Sequence, residues 1–206
     1  MVLTMRANEW HSLFDATNVF DSPTITAITK LGMDHVHLLG PSLAEIARNK
    51  AGIMREHTIC VTCEQPPEAF EVLMEHSNRL SAPLDDVTED DPPSKAIAAL
   101  PTVAHRTNAA IASKVVTHLL LQRYNPDQNL RVLDEQDVVL GLQRYKSPGS
   151  FREIARPPCH FFLDTAHNTL SLPVALEWFL GKVAVNEKEW VAHTKLVEAV
   201  VVRRFR

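Results

Sequence analysis

Residues 24–63 read TITAITKLGMDHVHLLGPSLAEIARNKAGIMREHTICVTC, and the order of patterns in this stretch decides the fold class. Thr24 to Thr29 alternates and is rich in Thr and Ile, the period of a half-buried strand. Gly32 and Met33-Asp34-His35 follow. Gly40-Pro41-Ser42 then opens a helix: Pro suits a first helical position, and Ser42 or Gly40 can cap it. Leu43, Ile46 and Ala47 form its apolar stripe, and Gly52 stands where a helix C-terminus favours glycine. Thr58 to Cys63 reads as the next strand and Pro67 to Leu80 as the next helix. Strand, helix, strand, helix is the signature of an α/β layer with a parallel sheet.

Outward from that stretch the signals are more scattered. Ser81 to Ser94 is rich in Asp and Pro and reads as a solvated loop. His105 to Arg123 predicts a helix whose apolar face is Ala112, Val115, Val116, Leu119 and Leu120. Tyr124 to Glu135 is polar and turn-like. Lys146 to Gly149 reads as a hinge, which divides the chain into a domain over 1–145 and a second α/β domain over 146–206. His160 to Leu163 predicts a short buried strand ending at Asp164, and Pro173 starts a helix through Leu180. The last stretch, Val183 to Arg206, mixes helix-like apolar residues with a basic end.

The composition narrows the function classes. A net charge of -4 across 206 residues supplies no electrostatic case for nucleic acid or an anionic membrane. The 45% hydrophobic content fills a core of ordinary size. No apolar run approaches the roughly eighteen residues of a membrane span, and the first residues lack a signal-peptide pattern. Three cysteines make no disulfide framework. A soluble intracellular protein is the expectation.

Several residues could carry chemistry. Asp34-His35 lies just past a predicted strand, at the sheet edge where ligands bind in open parallel sheets. Imidazole is a common metal ligand, and a neighbouring carboxylate can orient it; a solvated loop histidine is the alternative. Lys50 lies seven residues after Leu43 and returns to the apolar face of its helix. It either snorkels at the helix end or is buried for its amine chemistry. Asn108 falls on an apolar face, where its amide would need a hydrogen bond. His105 and Arg106 put cationic groups at a helix start, where an anion would favour them. Asp164-Thr165-Ala166-His167-Asn168 joins a strand to a helix. Its carboxylate suits a ribose or phosphate ligand, or simply a turn. Cys60 and Cys63 with His76 imitate zinc-ligand spacing but lack a fourth ligand, so buried structural cysteines are expected. His35-Val36-His37 could set two imidazoles on one strand face, again with no third ligand nearby.

Taken together, these segments resemble folylpolyglutamate synthase of the Mur ligase superfamily. Asp15-Ala16-Thr17-Asn18-Val19 is similar to one family segment. Leu31 to His35, Leu39-Gly40, Ile46-Ala47 and Lys50 to Ile53 resemble its most diagnostic block. Gln65 falls where the family has a glutamine. His105 to Ala109 is similar to its helix motif, and Asp164 to Asn168 to its Asp-Gly-Ala-His-Asn. The resemblance implies an incomplete parallel-sheet ATPase-type domain with a second α/β domain. It implies ATP and Mg2+ as cofactors, and reduced folate and L-glutamate as substrates, joined through an acyl phosphate. It implies His35 as a magnesium ligand and Lys50 as a carbamylated lysine that supports a second metal and catalysis. Asn108, Asp164 and His167 are implied to lie at the nucleotide. A cytoplasmic or mitochondrial location follows from the same likeness, with no nucleic acid, no membrane span and an oligomeric state left open.

The chain departs from the family pattern at several points. No Gly-Lys-Ser phosphate loop occurs among its six glycines. Ser150 stands where the family has arginine after Pro-Gly, Thr165 replaces a glycine and Thr169 a proline. The expectation is therefore a relative truncated at both ends, with two alternatives: a non-catalytic relative without the phosphate grip, and a dihydrofolate synthase.

Overall fold

The computed structural model describes Asn18 and residues 21–87, 94–122, 133–145, 149–156 and 159–190, without the side chains of 185–190. Two compact units make up the chain, Met1–Arg144 and Tyr145–Arg206.

The first unit is built on a parallel sheet. Strand β1 (Thr26–Ala27) pairs with β2 (Cys60–Cys63), and β2 pairs with β3 (Leu84–Val87). Thr26 stands opposite Cys60, and Cys60 opposite Leu84. β1 is shorter than Thr24 to Thr29, although Ile28 still donates to the Val61 carbonyl. All four residues of β2 are buried, as a central strand covered on both faces requires. One face packs against α2 (Leu43–Ala51) and α3 (Pro67–Leu80). There Cys60 joins Ile28, Ala47, Ala51, Met54, Ala69 and Leu73. The opposite face sets Val61 and Cys63 against Ile111 of α5 (Val103–Gln122). The α3 boundaries match those read from the sequence. In α2, Ser42 forms a capping box with Glu45. Gly52 ends that helix in a right-handed conformation. Arg55 takes the Gly52 and Met54 carbonyls, so its guanidinium closes the helix rather than a left-handed glycine.

Strand β3 corrects the reading of Ser81 to Ser94 as loop. Its two aspartates disfavour a strand locally. Asp85 is held from another element: His118 Nε2 lies 2.6 Å and Lys114 Nζ 2.9 Å from its carboxylate. Three short helices were also not anticipated: Val36–Leu39 (α1), Lys95–Ala98 (α4) and Glu135–Arg144 (α6). The turn assigned to Tyr124–Glu135 lies outside the described residues except at its end, where Glu135 opens α6.

In the second unit β4 (Arg152–Arg156) pairs antiparallel with β5 (Cys159–Leu163), and α7 (Ser171–Trp190) follows. Phe151, Phe162, Trp178 and Phe179 make edge-to-face ring contacts, with centroids 5.1–5.5 Å apart. Phe162 is the inward residue of β5. The strand is not buried as a whole: Phe161 is 47% and Leu163 43% exposed. The hinge at Lys146 to Gly149 lies outside the described residues except for Gly149.

Candidate functional site

The segment leaving β1 carries Asp34 and His35 at the carboxyl edge of the sheet. His35 is not in an extended segment. It adopts a left-handed conformation, φ 50° and ψ 36°, and its carbonyl accepts the first turn of α1 from Leu38 and Leu39. A non-glycine residue in that region is uncommon, and histidine tolerates it better than most. Asp34 Oδ1 accepts the His35 backbone N–H at 2.9 Å, while Oδ2 lies 3.6 Å from His35 Nε2. The His35 ring is exposed. Because Val36 and His37 are helical, the two imidazoles do not share a strand face. Their rings meet edge-on, with centroids 6.4 Å apart.

The donor chemistry fits a magnesium ion only in part, as such sites usually do. One carboxylate oxygen and one imidazole nitrogen would leave the remaining positions to water and substrate phosphates.

Lys50 lies in the last turn of α2, four residues after buried Ile46 and three after buried Ala47, and is itself half-buried. The return to the apolar face read from the sequence is therefore present. Neighbouring bonds hold this end of the helix. Asn49 Nδ2 donates to the Leu39 carbonyl at the end of α1. Asn18 Nδ2 donates to the Asn49 carbonyl at 2.8 Å, and Arg55 donates to the Asn18 carbonyl at 2.7 Å. Asn18 is the described residue of the Asp15 to Val19 segment.

Asn108 does not lie on the buried face of α5; it is exposed. The row Asn108, Ala112, Val116 faces solvent, and burial falls on Ile111 with Val115 behind it. α5 is apolar around much of its circumference, so spacing alone selected the wrong row. An exposed amide needs no protein partner and stays available to a ligand. The cations beside it already have local partners. Thr102 caps the helix, its hydroxyl accepting the His105 N–H at 3.2 Å and lying 2.8 Å from His105 Nδ1. Arg106 donates to the Leu100 carbonyl.

In the second unit, Asp164 uses both carboxylate oxygens on backbone amides: Phe151 N–H at 2.8 Å and Ala166 N–H at 2.7 Å. The Ala166 bond is the turn reading, whereas the Phe151 bond reaches thirteen residues back along the chain; each oxygen keeps a second lone pair. His167 Nδ1 lies 2.8 Å from the Thr165 carbonyl. A bond there puts the proton on Nδ1 and leaves Nε2 as the acceptor in the neutral ring. Asn168 Oδ1 accepts from Leu170 and Ser171 and caps α7.

Cys60 and Cys63 cannot form a chelate. Three residues apart on a strand, they point to opposite faces and join different clusters. Burial pushes the Cys60 thiol up to about 11, against a smaller opposing hydrogen bond with Thr26. Burial raises Cys63 as well, with Lys30 opposing.

One polar residue stands out that carried no assigned role in the sequence. Gln65, buried just past β2, receives the Leu31 N–H at 2.9 Å. It donates to the Thr29 carbonyl and to Thr62 Oγ1, both at 3.0 Å. A buried amide among buried strand residues was the available signal.

The described architecture is α/β: a three-stranded parallel sheet with helices on both faces in the first unit, and an antiparallel strand pair followed by a helix in the second. No family profile matches the chain. A curated relative, the probable folylpolyglutamate synthase of Schizosaccharomyces pombe, is 32% identical over 174 residues, which are 82% of this chain and 33% of the relative. A solved folylpolyglutamate synthase of Mycobacterium tuberculosis, complexed with ADP, superposes with a TM-score of 0.62 at 26% identity. That match covers 84% of this chain and 41% of the other. A folylpolyglutamate synthase complex with AMPPCP and folate gives 0.67 at 20% identity, covering 89% and 52%. Over about four fifths of its length the chain is similar to folylpolyglutamate synthases. It spans about a third of the length of the curated relatives it matches. Among the described residues, no helix is long and apolar enough to cross a membrane.

Proposed function

We propose that this chain carries part of the core of an ATP- and Mg2+-dependent ligase. The reaction joins the amine of L-glutamate to the γ-carboxylate of a reduced folate through an acyl phosphate. The observation that carries the reading is the conjunction of Asp34-His35 at the carboxyl edge of a parallel sheet with half-buried Lys50 at the end of α2. Related solved proteins bind ADP, AMPPCP and folate, which supports the same ligand classes here.

Magnesium, when bound, shields the charge between phosphates and the attacked carboxylate. The protein's part is positioning. His35 and Asp34 offer an imidazole and a carboxylate from a segment whose backbone turns sharply at His35. Lys50 presents its amine from a helix end tied down by Asn18, Asn49 and Arg55. A carbamate on that amine, formed from CO2 with loss of one proton, would give it oxygen donors. Asn108 offers an exposed amide to the nucleotide. Asp164 and His167 offer an oxygen lone pair and an imidazole nitrogen. The cytoplasm or mitochondrion, where reduced folates and ATP coexist, is the proposed location.

The test is ATP-dependent addition of one glutamyl residue to tetrahydrofolate, followed by mass spectrometry, with dihydropteroate as a second acceptor. Turnover with tetrahydrofolate that disappears in Lys50→Ala supports the reading. Absence of turnover with either acceptor removes the active-ligase form of it.

A further inference from the structure

We propose that Gln65 is the positioning residue of the Asp34-His35 loop; this rests on the reading of His35 as a metal ligand. The bond pattern is directional. Gln65 accepts from Leu31 N–H, donates to the Thr29 carbonyl and donates to Thr62 Oγ1; Thr62 Oγ1 in turn donates to the Ile28 carbonyl at 2.9 Å. Three positions of the segment leaving β1, namely Ile28, Thr29 and Leu31, are thereby tied to side chains of β2 and its exit.

The amide orientation follows from the network. A flipped Gln65 would set its oxygen against the Thr29 carbonyl and its nitrogen against the Leu31 N–H, with both contacts repulsive. Gln65 and Thr62 are buried, so water does not replace a lost bond without opening the structure. Leu31 is itself buried and starts the turn that reaches Asp34 and left-handed His35 three and four residues later. The next residues of β2's exit, Pro66 and Pro67, begin α3. The amide thus lies between a rigid strand–helix junction and the candidate metal loop, and transmits the geometry of one to the other.

The experiment uses the full chain with Mn2+ as a spectroscopic substitute for Mg2+. Electron paramagnetic resonance measures Mn2+ affinity for the native chain, His35→Ala, Gln65→Met and Gln65→Glu. Hydrogen exchange of the same proteins reads the amides of 29–35 against those of α2 and α3. Gln65→Met should bind Mn2+ at least about fivefold more weakly, and the Leu31 amide should exchange at least about fivefold faster, while α2 and α3 keep their protection. Gln65→Glu keeps the acceptor for Leu31 but loses both donors. It should protect Leu31 more than Gln65→Met does and recover part of the Mn2+ affinity. If Gln65→Met fails to fold, the Gln65→Glu comparison decides: loop exchange equal to the native chain overturns the proposal. Uniformly faster exchange through the first unit, with unchanged Mn2+ affinity of the folded protein, also overturns it and leaves Gln65 a core residue only. Failure of the native chain to bind Mn2+ refutes the metal role of His35, whereas the loop-exchange comparison still decides what Gln65 does.

Discussion

Replacing Asp85 by Ala removes the ion cluster that fastens strand β3 to helix α5. Asp85 receives His118 Nε2 at 2.6 Å and Lys114 Nζ at 2.9 Å, and Lys114 also donates to the Asp86 carbonyl at 3.1 Å. The three side chains are 31%, 22% and 25% exposed, between the solvated pairs that contribute almost nothing and the buried pairs that contribute most. Two charge-assisted bonds in that regime are worth about 1–2 kcal/mol together. Burial pushes the Asp85 carboxyl up, but hydrogen bonds and charge from Lys114 and His118 outweigh it and hold it below the ordinary range. A carboxyl whose pKa is depressed on folding stabilises the protein above its unfolded value, near 3.9, and loses that contribution as pH falls through the folded value. Urea unfolding of the native chain and Asp85→Ala from about pH 7 to about pH 3 should therefore show a difference that is present above about pH 4 and shrinks as the pH falls below it. The double variant with His118→Ala should cost less than the sum of the two single changes. A difference below about 0.3 kcal/mol at neutral pH, or one unchanged across the acid range, refutes the reasoning.

Two further outcomes follow from local geometry. Gly40→Ala should lower stability by about 1–3 kcal/mol in thermal unfolding, because Gly40 has φ 110° and an added Cβ would sit 2.5 Å from Glu45 Cβ; an unchanged melting temperature contradicts this. Iodoacetamide should label exposed Cys159 in the folded chain, whereas Cys60 and Cys63 should react only on unfolding, as read by mass spectrometry.

Much of the stretch from Thr24 to Leu80 was legible because its signals are local: an alternating strand, a Gly40-Pro41-Ser42 helix start, and apolar rows at helical spacing. Its order implied the parallel sheet, and the ordered segments pointed to the family. β3 was not legible, since the groups that accommodate Asp85 come from Lys114 and His118 on α5, far along the chain. Helix α1 was hidden for a different reason: four residues give no period, and a left-handed His35 starts it. Asn108 was placed on the wrong side because α5 has apolar residues on several rows, and only the sheet decides that Ile111 faces inward. Asp164 read equally well as ligand or turn; its bond to Ala166 belongs to the turn, its bond to Phe151 ties the turn to the start of β4, and neither uses up its lone pairs. Gln65 was visible as a residue, but its bonds join segments more than thirty positions apart, which no local pattern encodes.

The proposed function gives this chain nucleotide and metal chemistry of the folylpolyglutamate synthase kind. Calorimetric titration of the full chain with Mg-ATP tests it most directly. Saturable binding near one equivalent, weakened at least about tenfold by His35→Ala with the melting temperature unchanged, is the predicted result. No saturable heat, or equal binding by His35→Ala, would contradict the account.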